Sequence, residues 1–273
     1  MLTISDNNKK MSSLIKPAIL CFSGHDPSGG AGIQADSETL ASHQCHTCSV
    51  ITALTDQDTQ NVKKLIPQQK QEFINQAKTL LADFSFSAIK IGLIGSIEIA
   101  EAIQIILEKN SKIPVILDPV LAAGGGQLLS TEQLTATIGN RLLPYTTVLT
   151  PNSQEARKLA GLDDLDACGF SLLQQGCKYV LITGTHEDSP TVCNRLYHQN
   201  ELIETFNWDR LPGSYHGSGC TLASSIAASI AHGLDPYHAI LEAQEYTWNA
   251  LNEAYAPGQG QHIPNRFYWM QDP

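Results

Sequence analysis

Along the chain, short runs of consecutive apolar residues alternate with longer stretches in which apolar positions recur every three or four residues. The short runs Ala18–Ser23, Cys48–Leu54, Ala88–Leu93, Val115–Leu117, Thr147–Thr150 and Tyr179–Thr183 predict strands. Between them, Ile33–Ser42, Gln69–Asp83, Ile97–Lys109, Thr131–Leu143 and Gln154–Gln175 carry helical spacing, and Gly161 and Gly169 are expected to break the last of these into pieces. Strands buried on both faces read as continuous apolar runs, so the alternation predicts an α/β protein with a mostly parallel sheet covered by helices on both sides. Thr191–Tyr197 and Glu201–Phe206 flank His198-Gln199-Asn200 and predict an antiparallel hairpin at the sheet edge. Two helices follow, Thr221–His232 and Pro236–Ala254, with Gly233 placed to end the first. No repeat, linker or composition shift marks a boundary, so a single domain is expected over 17–273, after a flexible polar tail at 1–16.

Composition narrows the class. The 273 residues are 42% hydrophobic and 16% charged, as in ordinary globular enzymes, and the net charge of −10 argues against wrapping nucleic acid or an anionic membrane. The apolar run Ala18–Phe22 is too short for a signal segment or a span, which predicts a cytoplasmic protein. Seven scattered cysteines, an odd number, do not form a disulfide framework. Cys45-His46-Thr47-Cys48 lacks the second paired element that a metal site needs and is expected to hold reduced cysteines at the edge of a buried strand.

Four segments carry candidate chemistry. Gly217-Ser218-Gly219-Cys220 opens a helix whose stripe Leu222, Ile226, Ile230 is apolar and whose other faces are small. The free N–H groups of such a first turn and the helix dipole make an anion site, and a cysteine there is expected to have a lowered pKa. The bland alternative is a plain glycine helix start. Gly24-His25-Asp26-Pro27-Ser28-Gly29-Gly30-Ala31-Gly32 follows the first strand, and Gly30-x-Gly32-x-x-Ala35 formally matches a dinucleotide fingerprint, with Asp56 near the place of its acidic residue. That keeps an NAD-dependent oxidoreductase as a rival, although Asp36 inside the helix would repel a pyrophosphate. Asp118-Pro119-Val120 ends a buried strand where open sheets bind ligands, and Gly124-Gly125-Gly126 after it suggests a flap or a simple turn. Asn152 and Glu155 have capping-box spacing, which fits either a structural helix start or the hydration shell of Mg²⁺.

Together these motifs resemble the hydroxymethylpyrimidine/phosphomethylpyrimidine kinases of thiamine biosynthesis, in the ribokinase-like superfamily. The resemblance runs from the opening Gly-His-Asp-Pro-Ser-Gly-Gly-Ala-Gly-Ile-Gln-Ala-Asp through residues 48–59, Lys90-Ile-Gly-Leu, Asp118-Pro-Val and Leu149-Thr-Pro-Asn-Ser-Gln-Glu-Ala to His216-Gly-Ser-Gly-Cys-Thr-Leu. It implies a three-layer αβα sandwich, ATP and Mg²⁺ as cofactors, a small-molecule vitamin precursor as partner, and a homodimer. Position by position, it implies that Gly217, Ser218, Gly219 and Cys220 form the catalytic anion hole, with Cys220 accepting or orienting the hydroxyl proton. Gly24, Asp26, Ala31, Thr55, Gln57 and Leu93 would bind the substrate ring. Asp118, Asn152, Glu155, Thr183, Gly184 and Gly219 would serve ATP, and Asp118 and Glu155 the metal. Two departures stand out. The family usually has lysine where this chain has Thr183, and a neutral hydroxyl cannot make a charge-assisted phosphate contact, which weighs against phosphorylation of the pyrimidine monophosphate. It usually has threonine where His25 stands. Both keep the related pyridoxal kinase activity as the alternative, and a non-catalytic vitamer-binding paralogue as a third reading.

Overall fold

Strand β1 (Ala18–His25) is buried along its six central residues. Its side chains feed two cores by simple alternation: Ile19 and Cys21 join one, Leu20 and Phe22 the other. The computed structural model describes residues 16–123 and 126–270; residues 1–15, where the polar tail is expected, residues 271–273, and two glycines of the Gly124-Gly125-Gly126 run, Gly124 and Gly125, where a flap or turn is expected, lie outside the described residues. β1 lies between β2 (His46–Gln57) and β4 (Phe86–Ile91), parallel to both. β5 (Val115–Leu117), β6 (Val148–Leu149) and β7 (Tyr179–Ile182) extend the parallel sheet, and β8 (Thr191–His198) and β9 (Glu201–Asp209) close that side as the expected antiparallel hairpin. The other edge is β3 (Val62–Pro67), antiparallel to β2, which gives one sheet in the order β3-β2-β1-β4-β5-β6-β7-β8-β9.

β3 has no counterpart among the predicted strands. It is largely exposed, carries Lys63 and Lys64 and ends in Pro67, so it shows the polar edge chemistry of a boundary strand rather than an apolar run.

Helices α2 (Lys70–Asp83), α3 (Ile97–Lys109), α4 (Glu132–Leu142), α5 (Ser153–Ala160) and α6 (Leu165–Gln174) cover one face, over a core that includes Phe22, Ile89, Ile103, Leu149 and Tyr197. Helices α1 (Gly32–Ser42), α7 (Ser218–Ala231) and α8 (Pro236–Asn252) cover the other, over Ile19, Leu40, Ile116, Val148, Ile226 and Ile240. This is the three-layer α/β architecture expected from the sequence. Gly161, at φ 67°, does end α5, but Gly169 lies inside α6 and breaks nothing. A Cβ there would sit 2.7 Å from the Tyr197 ring, so the glycine is a notch for an aromatic side chain. No helix among the described residues is long and apolar enough to cross a membrane. All seven cysteines are free, and Cys45 and Cys48 are buried as expected.

Candidate active site

The parallel strands end on one rim, and the loops leaving that rim wall a cleft of about 600 Å³. The loop after β1 enters it folded around the Asp26 carboxylate. Oδ1 accepts from the Ser28 N–H at 2.8 Å and from the Ser28 hydroxyl at 2.7 Å, while Oδ2 accepts from the Ala31 N–H at 2.7 Å and faces His216 Nε2 at 2.9 Å. Burial opposes ionisation of Asp26, yet hydrogen bonding from His216, Gln57 and Ser28 holds its carboxyl well below the usual carboxylate range. Asp26 lines the cleft, but both of its oxygens are engaged in shaping the loop.

The loop is closed against the segment that precedes α7. A Cβ on Gly30 would lie 2.3 Å from the His216 ring, and one on Gly32 would lie 2.2 Å from the Gly24 carbonyl oxygen. A side chain is excluded at both positions, and Asp36, one turn into α1, is fully buried in an ion pair. Asp56 is exposed on β2 and does not line the cleft. The dinucleotide reading of this loop therefore lacks, at the cleft, the acidic residue that its fingerprint needs. Gly24, Ala31, Thr55, Gln57 and Leu93 do line the cleft with Asp26. Thr55 donates its hydroxyl to the His25 carbonyl at 2.9 Å, and Leu93 packs where a Gly24 side chain would have been.

Helix α7 begins from Gly217, whose φ of 81° only glycine adopts freely, and the first bond of the helix runs from the Thr221 N–H to the Gly217 carbonyl. The N–H groups of Ser218, Gly219 and Cys220 have no intrahelical acceptor and no side-chain cap. Asp118, at the end of β5, faces this turn: its Oδ2 would lie 3.3 Å from a Cβ on Gly219. That oxygen is buried and has no hydrogen-bond partner in the structure. Burial pushes the Asp118 carboxyl above its ordinary range, with the charge of Asp36 adding to it and the attraction of Lys90 and a hydrogen bond from the Cys220 thiol to the carboxyl opposing it.

Cys220 is buried at the same turn, and its thiol is pushed up to about 12 by burial, with Asp118 and Asp36 adding to the effect and Lys90 opposing it. This is the reverse of the lowering expected from a helix N-terminus alone: desolvation and two carboxylates outweigh the dipole.

Beneath the turn lies a polar network that sequence reasoning missed. Lys90 Nζ is 2.7 Å from Asp36 Oδ1 with both side chains fully buried. Asp36 also accepts from the Ser23 hydroxyl at 2.6 Å and from the Ser224 hydroxyl at 2.8 Å. Burial alone would depress the Lys90 ammonium, but Asp36, Cys220 and Asp118 keep it charged, with its pKa above the usual lysine value.

On the far wall the capping box of α5 is complete. Asn152 Oδ1 accepts from the N–H groups of Gln154 at 3.0 Å and Glu155 at 2.9 Å, and Glu155 Oε2 accepts from the Asn152 N–H at 2.9 Å. Glu155 Oε1 also accepts from the Leu121 N–H at 3.2 Å. The structural role foreseen for this pair is present, and Glu155 is buried near Asp118, so burial and then the Asp118 charge raise its carboxyl. Asn152, Glu155 and Thr183 line the cleft; Gly184 does not. The Gly184 N–H donates to Asn194 Oδ1 at 3.0 Å, and its Cα packs against the Cys193 carbonyl of β8.

A second element unforeseen in the sequence is Arg266. Its guanidinium is buried and donates to the Gly30 carbonyl at 2.6 Å, to Thr221 Oγ1 at 3.0 Å and to Glu38 at 2.8 Å. It thereby ties the β1 loop, α7 and α1 together. Lys158, Arg210 and Trp248 also line the cleft without a motif to announce them. No group of three or more His, Cys, Asp or Glu side chains among the described residues could hold a metal by itself.

Comparison with known proteins places the arrangement. The family model described as phosphomethylpyrimidine kinase matches residues 26–265. A hydroxymethylpyrimidine/phosphomethylpyrimidine kinase of Synechococcus elongatus is 35% identical over 258 residues, which cover 92% of this chain and 98% of that protein. The crystal structure of a phosphomethylpyrimidine kinase from Clostridium difficile aligns with a TM-score of 0.75 at 30% identity, over 85% of this chain and 98% of the other. A Staphylococcus aureus pyridoxal kinase solved with AMP-PCP and pyridoxal aligns with a TM-score of 0.84 at 26% identity, over 94% of this chain and 96% of the other. On the extent of the family match and of the Synechococcus alignment, the chain belongs to the phosphomethylpyrimidine kinase family.

Proposed function

We propose that the protein transfers the γ-phosphoryl group of ATP to the hydroxymethyl group of 4-amino-5-hydroxymethyl-2-methylpyrimidine. One observation carries this reading: the three unpaired N–H groups at the start of α7 stand beside a buried carboxylate oxygen, Asp118 Oδ2, that has no partner. Phosphoryl transfer asks a protein mainly for positioning and for charge stabilisation around the equatorial oxygens. The first turn of α7 supplies donors for those oxygens. The hydroxymethyl oxygen forms the new P–O bond as the bond to the bridging oxygen of ADP breaks, and its proton leaves to solvent through the open cleft. Asp118, and Glu155 through water, would hold Mg²⁺, an ion that takes few protein ligands and keeps its waters; bound there it would neutralise the charge of the phosphates. Cys220, with its raised thiol, serves through its backbone N–H and as an oriented S–H rather than as a standing thiolate. Gln57 offers hydrogen bonds to the aminopyrimidine edge, and Leu93 and Ala31 an apolar floor.

The test is ADP release with ATP and Mg²⁺ on three acceptors: the hydroxymethylpyrimidine, its monophosphate and pyridoxal. Turnover on the free pyrimidine above the other two is expected. Faster turnover of pyridoxal would move the assignment to a pyridoxal kinase, which the pyridoxal kinase structural neighbours keep in view. Tight pyrimidine binding with no ADP released from any acceptor would refute a kinase altogether. Equal rates on the pyrimidine and its monophosphate would refute the weight placed on Thr183.

A further inference from the structure

The cleft wall holds few cations for a site that must receive a triphosphate. Among the described residues, the lysines and arginines that line it are Lys158 and Arg210. Arg210 is engaged: Nε donates to the Ser189 carbonyl at 2.9 Å, and its two terminal nitrogens donate to the carbonyls of Thr185 at 2.8 Å and Glu187 at 2.9 Å. Its function is to hold the turn after β7. Lys90 and Arg266 are buried in their own ion pairs and are not among the residues that line the cleft. Lys158 is different. It sits on α5 one turn after Glu155, is exposed, and belongs to no ion pair among the described residues. Helical side chains lean toward the N-terminus, so from this position the stem is directed back along the Glu155 side of α5, whose start is hydrogen-bonded to Thr183 at the end of β7, and Glu155, Lys158 and Thr183 all line the cleft. The charge of Lys158 is already felt at the Glu155 carboxyl.

We infer that Lys158 is the cation that contacts the phosphates of the bound nucleotide, taking from the helix the role that a neutral Thr183 cannot take from the strand end. The inference rests on the kinase reading and adds a residue to it. A charge-assisted phosphate contact at a solvated site is worth about 10-fold in affinity.

The experiment measures binding by calorimetry, without turnover, for AMP-PCP and for adenosine. Lys158→Met is expected to weaken AMP-PCP about 10-fold and leave adenosine unchanged, Lys158→Arg to retain most of the affinity, and Lys158→Met with Thr183→Lys to restore it. The position is exposed, and an unchanged melting curve would confirm that each variant folds. AMP-PCP affinity unaffected by Lys158→Met, or an equal loss for adenosine, would overturn the assignment while leaving the kinase reading intact. A wild-type protein that binds neither ligand would overturn the kinase reading itself, and this inference with it.

Discussion

Replacing Asp118 by asparagine should stabilise the protein while disabling it. The carboxylate is buried, its Oδ2 has no partner, and burial together with the charge of Asp36 outweighs the attraction of Lys90, so the ionised form is disfavoured in the folded state. A buried charged oxygen left unpaired costs about 1–3 kcal/mol, and an amide of the same shape removes the charge. For a chain of this size that corresponds to a rise in Tm of roughly 2–6 °C. The sign has a pH signature. The folded pKa is raised above the unfolded one, so the wild type loses stability relative to the variant as pH climbs from the ordinary carboxylate range through the raised folded value. The Tm difference should therefore be small near pH 4 and widest above neutrality. Over the same series kcat should fall by about 10²–10³-fold, the scale of losing one preorganised electrostatic group at a reacting centre. Calorimetry across pH 4–8 and ADP release at pH 7.5 read the two effects. A variant less stable than wild type at pH 8 would refute the account, because Asp118 would then be paid for by the fold and not held for a ligand.

Three further expectations follow from local geometry. Gly217→Ala places a Cβ 2.0 Å from the Gly30 carbonyl at a φ of 81°, so about 1–2 kcal/mol of backbone strain adds to about 1.5–3 kcal/mol for displacing the acceptor of Arg266; urea unfolding should show a loss of roughly 3–5 kcal/mol, and a loss under about 1 kcal/mol would contradict it. Gly169→Ala drives a methyl into the ring of Tyr197, whose hydroxyl is fixed on Asp166 at 2.6 Å, and should cost about 1–3 kcal/mol by the same assay with activity per folded molecule retained. At pH 8 the Cys220 thiol, raised to about 12, should alkylate with iodoacetamide about 10³-fold more slowly than free cysteine, as followed by peptide mass spectrometry; parity with free cysteine would show that the first turn of α7 does stabilise a thiolate.

What the sequence makes legible is chemistry that is local in the chain. The parallel strands announce themselves because each is buried on both faces, and the glycines at 30, 32 and 217 mark close approaches of backbone that no other residue permits. Residues lining the cleft fall at the ends of those strands, so the rim position of Asp118 is legible from the strand pattern, while Asn152 and Thr183 are pointed to by the family resemblance. What stays hidden depends on partners distant in sequence. β3 is invisible because an edge strand is exposed and needs no apolar run. Gly169 looks like a helix breaker until Tyr197 of β8 is laid into the space above it.

The buried pair of Lys90 and Asp36 sharpens this point, because neither residue has a local pattern that reveals the other. A buried ion pair is seldom the most stabilising use of a core, since apolar side chains of similar volume often do as well or better. Here the pair joins β4 to α1, and through Ser224 it reaches α7, the helix whose first turn faces the cleft. Its charges also bear on Cys220 and Asp118, lowering with one sign and raising with the other. The thiol pKa therefore cannot be read from the helix start alone: the same motif, Gly-Ser-Gly-Cys, would favour a thiolate above a bare positive charge and disfavours it above a compensated one beside a buried carboxylate. The motif fixes where the thiol sits, and Lys90, Asp36 and Asp118, from β4, α1 and the end of β5, fix its protonation.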